Sequence, residues 1–167
     1  MTVSRRFFTE RIGCLGLGLA VMNPHPQTQL VSQPITSTQT PVETVQAYYT
    51  ALENGDFNGV LAVVAEDGVL EEPASLPYTG TYRGRADWRR FGERFNTVWQ
   101  DPMITVESIA DAGEFVIGLA RLQATARQTK RTIDMPLAEL FWVKDGKITK
   151  LLPFYWDTAA AVNAMTD

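Results

Sequence analysis

Glu139 is the acid whose position is most informative about chemistry. In the segment 131–143 the odd positions from 133 onward are apolar apart from this one carboxyl group: Ile133, Met135, Leu137, Glu139, Phe141 and Val143. Side chains alternate between the two faces of a strand, so these residues share one face. If that face points inward, burial raises the pKa of the carboxyl group and lets it donate a proton near neutral pH. The alternatives are that the face points to solvent or that Glu139 pairs with an arginine such as Arg121.

Two pairs of adjacent residues could add polar groups to such a site. Glu71 and Glu72 fall in a short strand candidate, so only one of them can face a cavity while the other is solvated. Tyr48 and Tyr49 fall on a helix candidate, where one packs in the core and the other can direct its hydroxyl into a cavity. The sequence leaves both choices open. Nucleophilic triads, glycine-rich phosphate loops and metal-binding motifs are absent from it, so any catalysis would use carboxyl groups and tyrosine.

Three helices are predicted to position these groups. Residues 40–43 (Thr-Pro-Val-Glu) combine an N-cap, a proline at the first helical position and a capping box, and Gly55 ends that helix. Asp56 caps a second helix that is predicted to end near Gly68. A third, over 86–100, carries an aromatic stripe that indicates a core-facing surface, formed by Trp88, Phe91, Phe95 and Trp99. Arginines also surround this helix, and acids at helical spacing favour a solvated face over an anion site.

The second half of the chain reads as strands. Segments rich in β-branched and aromatic residues cover 103–110, 114–127, 131–143 and 147–156, and Asp145-Gly146 predicts a two-residue hairpin. Residues 157–165 could form a closing helical turn. The order predicts an α+β fold, in which an antiparallel meander follows helices and short strands. A curved sheet with helices on one face leaves a cavity.

The composition limits the classes of protein to which the chain can belong. The chain has 167 residues, 45% of them hydrophobic and 20% charged, which is typical of one globular domain. Three of the 15 basic residues and one of the 19 acids lie within the first eleven positions, so the remainder carries 12 basic and 18 acidic groups. We therefore expect no nucleic-acid partner. The single cysteine, Cys14, and the single histidine, His25, form no metal-ligand cluster, and we expect neither a metal nor another cofactor.

The N-terminus has the features of an export signal. Residues 4–8 (Ser-Arg-Arg-Phe-Phe) precede the short apolar stretch 12–20, which resembles a twin-arginine signal. The alternatives are a disordered basic tail and, less favoured, a lipid anchor on Cys14. We predict an export signal over 1–22 and a disordered linker over the Pro-, Gln- and Thr-rich residues 23–39. The folded domain is predicted over residues 40–165, with no integral membrane segment after signal removal.

Several short motifs occur together and in order along the predicted domain. They are Tyr48-Tyr-Thr-Ala-Leu-Glu-Asn-Gly-Asp56, Ala65-Glu-Asp-Gly-Val-Leu-Glu-Glu-Pro73, Tyr78-Thr-Gly-Thr-Tyr-Arg-Gly84, Lys144-Asp-Gly-Lys-Ile148 and Phe154-Tyr-Trp-Asp-Thr158. With them, residues 40–160 resemble the SnoaL-like proteins of the nuclear-transport-factor-2-like superfamily, close to the ketosteroid isomerases. The resemblance implies a cone-shaped curved antiparallel sheet packed on three N-terminal helices, with a ligand cavity and frequent dimerisation through the outer sheet face.

The resemblance also implies roles for three residues. Tyr48 takes the place of an oxyanion-hole tyrosine seven residues before the Gly of Gly-Asp. Glu72 takes the place of the general base before the proline that ends the first strand, and Glu139 that of a second oxyanion-hole acid. Both acids are Glu where the isomerases have Asp, so each carboxyl group is displaced by one methylene.

Two hypotheses of function follow. The first is an exported isomerase- or cyclase-like enzyme that uses Tyr48, Glu72 and Glu139 on a small hydrophobic carbonyl compound, with a pocket lined by Tyr49, Trp88, Phe95, Phe141 and Trp156. The second is a non-catalytic ligand-binding or dimerisation module of the same fold. The second would be favoured if Glu139 were salt-bridged or if aromatic side chains filled the cavity.

Overall fold

The computed structural model describes residues 39–166. The predicted export signal over 1–22, and the linker over 23–39 except its last residue, lie outside this range. Four helices and six strands follow one another: α1 (Pro41–Glu53), α2 (Phe57–Val63), β1 (Val64–Glu72), β2 (Gly80–Arg83), α3 (Gly84–Val98), β3 (Trp99–Asp111), β4 (Val116–Ala126), β5 (Thr132–Lys144), β6 (Lys147–Tyr155) and α4 (Thr158–Met165). None of the helices in this part of the chain is long and apolar enough to cross a membrane.

The six strands form one sheet in the order β2-β1-β6-β5-β4-β3. Strands β3 to β6 are an antiparallel meander, as the sequence predicts. Asp145 and Gly146 both have positive φ, 51° and 70°, as the predicted two-residue hairpin requires. Strand β1 joins the meander by pairing parallel with β6, although the end of β1 and the start of β6 are 75 positions apart in sequence. The prediction of an α+β fold is confirmed.

The predicted N-terminal signals of α1 are all present. The Thr40 side chain accepts a hydrogen bond from the Glu43 backbone N–H, and the Glu43 carboxylate accepts one from the Thr40 N–H. Gly55 follows the helix with a φ of 65°, where a side chain would be strained. These signals fix the first and last turns of α1 and hence the angular position of Tyr48 and Tyr49 on it.

The second helix is shorter than the sequence predicts. Asp56 caps it as expected, but α2 ends at Val63, and residues 64–68 belong to β1 instead of the helix. Val64 pairs with Ile148 of β6, so the backbone hydrogen bonds of this segment go to the sheet. The prediction that the helix reaches Gly68 is wrong, because pairing with a strand 84 positions later outweighs the local helical pattern.

The aromatic stripe of α3 divides between two environments. The helix ends at Val98, and Trp99 opens β3. Trp88 and Trp99 are buried in the core, whereas Phe91 and Phe95 are only partly buried and line a cavity. The predicted core stripe is therefore correct for the two tryptophans, whereas the two phenylalanines pack against the core and also line the cavity.

The alternation of β5 matches the prediction from its odd positions. Ile133, Met135, Leu137, Glu139 and Phe141 are all buried, and the even positions face outward. A β-bulge interrupts the pairing of β5 with β6: Val143 pairs with Ile148, but Trp142 pairs with Lys150, so Thr149 is the extra residue. Beyond this bulge every side chain of β6 lies on the opposite face from the one that a regular hairpin would give it.

Candidate active site

Glu139 lies at one end of a cavity of about 440 Å³ between the helices and the inner face of the sheet. Its side chain is 4% exposed, and its Oε2 accepts a hydrogen bond of 2.8 Å from the hydroxyl of Tyr49 on α1. Tyr49 can come this close to the sheet because it lies over Gly118, the residue of β4 that pairs with Glu139. A Cβ on Gly118 would lie 2.0 Å from the Tyr49 hydroxyl oxygen.

Glu72 lies in the same cavity, at the end of β1. It is 8% exposed, and its Oε2 accepts a hydrogen bond of 3.2 Å from the hydroxyl of Tyr155 on β6. The neighbouring Glu71 points to the other face of the strand, where Lys150 Nζ lies 3.3 Å from its Oε2. The structure thus resolves the choice that the sequence left open, because Glu72 faces the cavity and Glu71 faces solvent.

Tyr48 also lines the cavity, and its side chain is 94% buried. It is electrostatically coupled to both Glu139 and Glu72. Among the residues that the structure describes, none forms a hydrogen bond with its hydroxyl. The hydroxyl oxygen is not completely buried, because no completely buried side-chain oxygen or nitrogen in this range lacks a partner. The hydroxyl of Tyr48 is therefore free to bind a ligand, whereas that of Tyr49 is occupied by Glu139.

Burial raises the pKa values of Glu72, Glu139 and Tyr48. Loss of hydration raises the pKa of Glu72 to about 8, which the hydrogen bond from Tyr155 partly opposes. The same cause raises the pKa of Glu139 to about 7, against the opposing effect of Tyr49. Burial also raises the pKa of Tyr48 well above its usual range. The charge of Glu139 also raises the pKa of Glu72, so the protonation states of the two carboxyl groups are linked.

Neither carboxyl group is paired with a basic side chain of residues 39–166. Arg121, the partner considered from the sequence, lies on the outer face and pairs with Asp134, with 2.6 Å between Nε and Oδ1. The hydrogen bonds that Glu72 and Glu139 accept in this range come from tyrosine hydroxyls. The first condition for a non-catalytic module, a salt-bridged Glu139, is not met in the described part of the chain.

The cavity is open, with walls that are mainly apolar. Of the predicted lining residues, Phe95 does line it, together with Leu52, Phe57, Phe91, Ile104, Leu122 and Leu137. Trp88 and Phe141 do not. The Trp88 indole N–H donates to the Gly68 carbonyl oxygen at 3.1 Å in the core, and Phe141 packs edge-on against both α1 tyrosines. Tyr49 lies behind Glu139 and not in the wall.

Trp156 does not line the cavity either, and its side chain is 79% exposed. A regular hairpin at Asp145-Gly146 would turn its side chain inward. The bulge at Thr149 reverses the faces of the rest of β6, so Tyr155 points inward instead. Tyr155 was not predicted as a site residue for this reason, and the sequence carries no signal for it, because Leu152 and Phe154 on one face are as apolar as Leu151 and Pro153 on the other.

The arginines of the α3 region have separate structural roles. Arg90 forms an exposed ion pair with Asp87, and Arg94 donates to the Tyr82 hydroxyl and to the Pro77 carbonyl oxygen. Arg85 donates to the Val64 carbonyl oxygen. Arg89 lies at the rim of the cavity, with its guanidinium 5.6 Å from the ring centroid of Phe57. The predicted solvated face is therefore correct for Arg90 and incomplete for the others.

A second hollow, of about 570 Å³, lies beside α4. Its described lining includes Leu76, Pro77, Arg127 and Val162 but no acid and no tyrosine. Across residues 39–166, no group of three or more His, Cys, Asp or Glu side chains could hold a metal ion. The groups suited to proton transfer thus converge on the first cavity.

The fold and this cavity define a cone-shaped α+β protein with an internal carboxyl and tyrosine site. The model of the SnoaL-like domain matches residues 45–151, and the chain belongs to this family. No curated protein matches the sequence.

Solved structures with the same fold include a nuclear-transport-factor-2-like protein from Burkholderia thailandensis, at 29% identity and a TM-score of 0.73 over 77% of this chain and 99% of that one. A proposed polyketide cyclase from Xanthomonas campestris is similar at 25% identity and a TM-score of 0.59, over 74% and 94% of the two chains. A ketosteroid-isomerase-like protein from Catenulispora acidiphila, solved with trimethylamine, has 19% identity and a TM-score of 0.64 over 75% and 94%.

Proposed function

We propose that this protein catalyses proton transfer in a small hydrophobic carbonyl compound, as an isomerase or a cyclase. The observation that carries the proposal is the convergence of Tyr48, Glu72 and Glu139 on one apolar cavity without a basic partner in the described residues. Buried acids of raised pKa and a free tyrosine hydroxyl suit the formation of an enolate. The similarity to a proposed polyketide cyclase supports the same class of chemistry.

In the proposed reaction, Glu72 removes a proton from the carbon next to the carbonyl group. The electron pair of that C–H bond moves into the carbonyl, and the enolate oxygen accepts hydrogen bonds from Tyr48 and from protonated Glu139. Glu72 then returns its proton to another carbon of the conjugated system. The pKa of Glu72 is the higher of the two in the free protein, so the carbonyl oxygen that accepts a hydrogen bond from Glu139 has to favour the proton on Glu139 and leave Glu72 ionised as the base.

The test is ultraviolet-monitored isomerisation of an unconjugated 3-ketosteroid by residues 36–167. We expect Glu72→Gln to lower kcat by about 10²–10⁴-fold, because it removes the base, and Tyr48→Phe by about 10²–10³-fold. Glu71→Gln is the matched control, since it changes the adjacent carboxylate on the solvent side of the strand. Equal losses in Glu71→Gln and Glu72→Gln would contradict the assignment.

Absence of turnover above the buffer rate would exclude steroid isomerisation and would favour the second hypothesis, a binding module. For an active enzyme, the pH profile of kcat/KM gives an independent check. Activity requires one proton on the pair, so the profile should be bell-shaped around the pKa values of about 7 and 8.

Export is the second part of the proposal, and it rests on residues 4–8 and the apolar stretch after them. We expect a fusion of residues 1–40 to a reporter that is active only after export in the folded state to be translocated in a bacterial host. Replacing Arg5 and Arg6 with lysine should abolish translocation. Reporter activity that is unchanged by this double substitution would argue against a twin-arginine route.

A homodimer through the outer sheet face is the third part. Leu119, Ala138 and Phe154 lie side by side on three adjacent strands, and Leu119 and Phe154 are 46% and 53% exposed. Such an apolar row on a sheet face is a suitable subunit contact. We expect residues 36–167 to sediment as a dimer and Phe154→Lys as a monomer, with Thr81→Lys on edge strand β2 as the control. A wild-type monomer would contradict this part.

A further inference from the structure

The Glu72 end of the cavity is an aromatic environment. Phe91 and Phe95 of α3 line the cavity there, and Tyr78 packs edge-on against both rings, with centroids 6.1 and 5.0 Å away. Tyr78 in turn interacts with Tyr155, whose hydroxyl donates to Glu72. The faces of aromatic rings carry partial negative charge, which attracts cations. Rings and carboxylate therefore add potentials of the same sign.

At the Glu72 end of the cavity, no basic side chain of the described residues is paired with the carboxyl group. Glu72 is more than nine-tenths buried, its hydrogen bond comes from a neutral hydroxyl, and no basic side chain among residues 39–166 forms an ion pair with it. A buried carboxyl group without a cationic partner carries a large cost when it is ionised. A ligand that brings a positive charge removes this cost.

Other charged and titratable groups surround Glu72. Arg89, the one basic residue of the described cavity lining, lies at the exposed rim, where its NH2 donates to Asn58, and Glu93 is also exposed on that helix face. Solvent screens both side chains, and their charges are opposite. The titratable groups that interact with Glu72 are Tyr48 of α1, Glu139 of β5, Tyr155 of β6, Tyr82 of β2 and Tyr78 of the loop before it, none of which is cationic. Arg94, the cation beside this group, donates to the Tyr82 hydroxyl and to the Pro77 carbonyl oxygen.

We propose that the Glu72 end of the cavity binds a small organic cation, a tertiary or quaternary ammonium group, between the Glu72 carboxylate and the rings of Phe91, Phe95 and Tyr155. The cavity volume of about 440 Å³ leaves room for an ammonium headgroup with an attached chain. Tyr48 and Glu139, which line the same cavity, can hydrogen-bond an oxygen on that chain. The inference goes beyond the proposed function, because binding a cation requires no proton transfer.

Calorimetric titration of residues 36–167 with choline and with 3,3-dimethyl-1-butanol tests the proposal. These two probes share their shape and hydroxyl group and differ in charge. We expect choline to bind at least about tenfold more tightly, since the cation interacts with both the carboxylate and the rings. At pH 7 its binding should also release a proton from Glu72, so the measured heat should differ between phosphate and HEPES buffers.

Amino-acid substitutions distinguish choline binding at this site from nonspecific attraction of a cation to an acidic protein. Glu72→Gln should weaken choline binding at least about tenfold and leave the alcohol within about twofold, whereas Glu71→Gln should change neither. Phe91→Leu should weaken choline more than the alcohol. Equal affinity for the two probes, equal effects of the two glutamate variants, or no saturable choline binding would overturn the proposal. The isomerisation assay reports turnover separately, so either proposal can fail alone.

Discussion

Raising the pH from 5 to 9 should lower the free energy of unfolding by several kcal/mol. Glu72 and Glu139 have pKa values of about 8 and about 7 in the folded protein, against a usual value of 4.5. Between pH 4.5 and 8 the folded state therefore binds more protons than the unfolded state, so stability falls as pH rises. Each unit of difference corresponds to about 1.4 kcal/mol, and both carboxyl groups contribute.

Urea unfolding at a series of pH values measures this effect. The double variant Glu72→Gln/Glu139→Gln should show a nearly flat dependence and should be more stable than the wild type at pH 9, because it never has to ionise buried acids. Glu71→Gln should keep the wild-type slope. The lowered pKa values of the exposed Glu43 and Asp134 do not interfere, since such groups titrate below this range. A wild-type protein of constant stability from pH 5 to 9 would show that these carboxyl groups are not buried.

Gly118→Ala should destabilise the protein by about 3 kcal/mol. The added methyl group would lie 2.0 Å from the Tyr49 hydroxyl oxygen and 2.7 Å from the ring, so the tyrosine must move. Overpacking of a tight core costs about 1–3 kcal/mol, and loss of the buried hydrogen bond to Glu139 adds about 1–3 kcal/mol. The denaturant midpoint should fall accordingly, and the pKa of Glu139 should rise further because its hydroxyl donor is withdrawn.

A double-mutant cycle identifies the cause of the destabilisation by Gly118→Ala. Tyr49→Phe removes the hydroxyl group, so Gly118→Ala should cost less in that background, with the remaining loss due to contact with the ring. Thr125→Ala is the control, because this residue lies on the outward face of the same strand. Full additivity of Gly118→Ala and Tyr49→Phe would show that the two positions do not touch.

The parts of the fold that local signals specify are predictable from the sequence. The capping box of α1, the hairpin at Asp145-Gly146 and the alternation of β5 all hold, because each depends on residues close together in the chain. The same alternation predicts Glu139 as a candidate site residue. Local sequence pattern could not show which of Glu71 and Glu72 faces the cavity, because that depends on the pairing of β1 with β6.

The errors have a shared physical origin in long-range pairing. Residues 64–68 read as helix because the competing strand, β6, begins more than 80 positions later. Trp156 was expected in the cavity because the single extra residue at Thr149 leaves no local signature, yet it reverses the face of every residue after it. Tyr155, which hydrogen-bonds Glu72, was missed through the same bulge.

The two hydroxyl–carboxyl contacts of the cavity also bear on the order of folding. Tyr49 and Glu139 are 90 positions apart, and Glu72 and Tyr155 are 83 apart. Contacts of such separation close long loops, and proteins rich in them fold slowly. A nascent chain that has not yet released β6 from the ribosome has neither the parallel partner of β1 nor the hydroxyl donor of Glu72. The groups of the cavity therefore cannot all be in place until β6 has been synthesised.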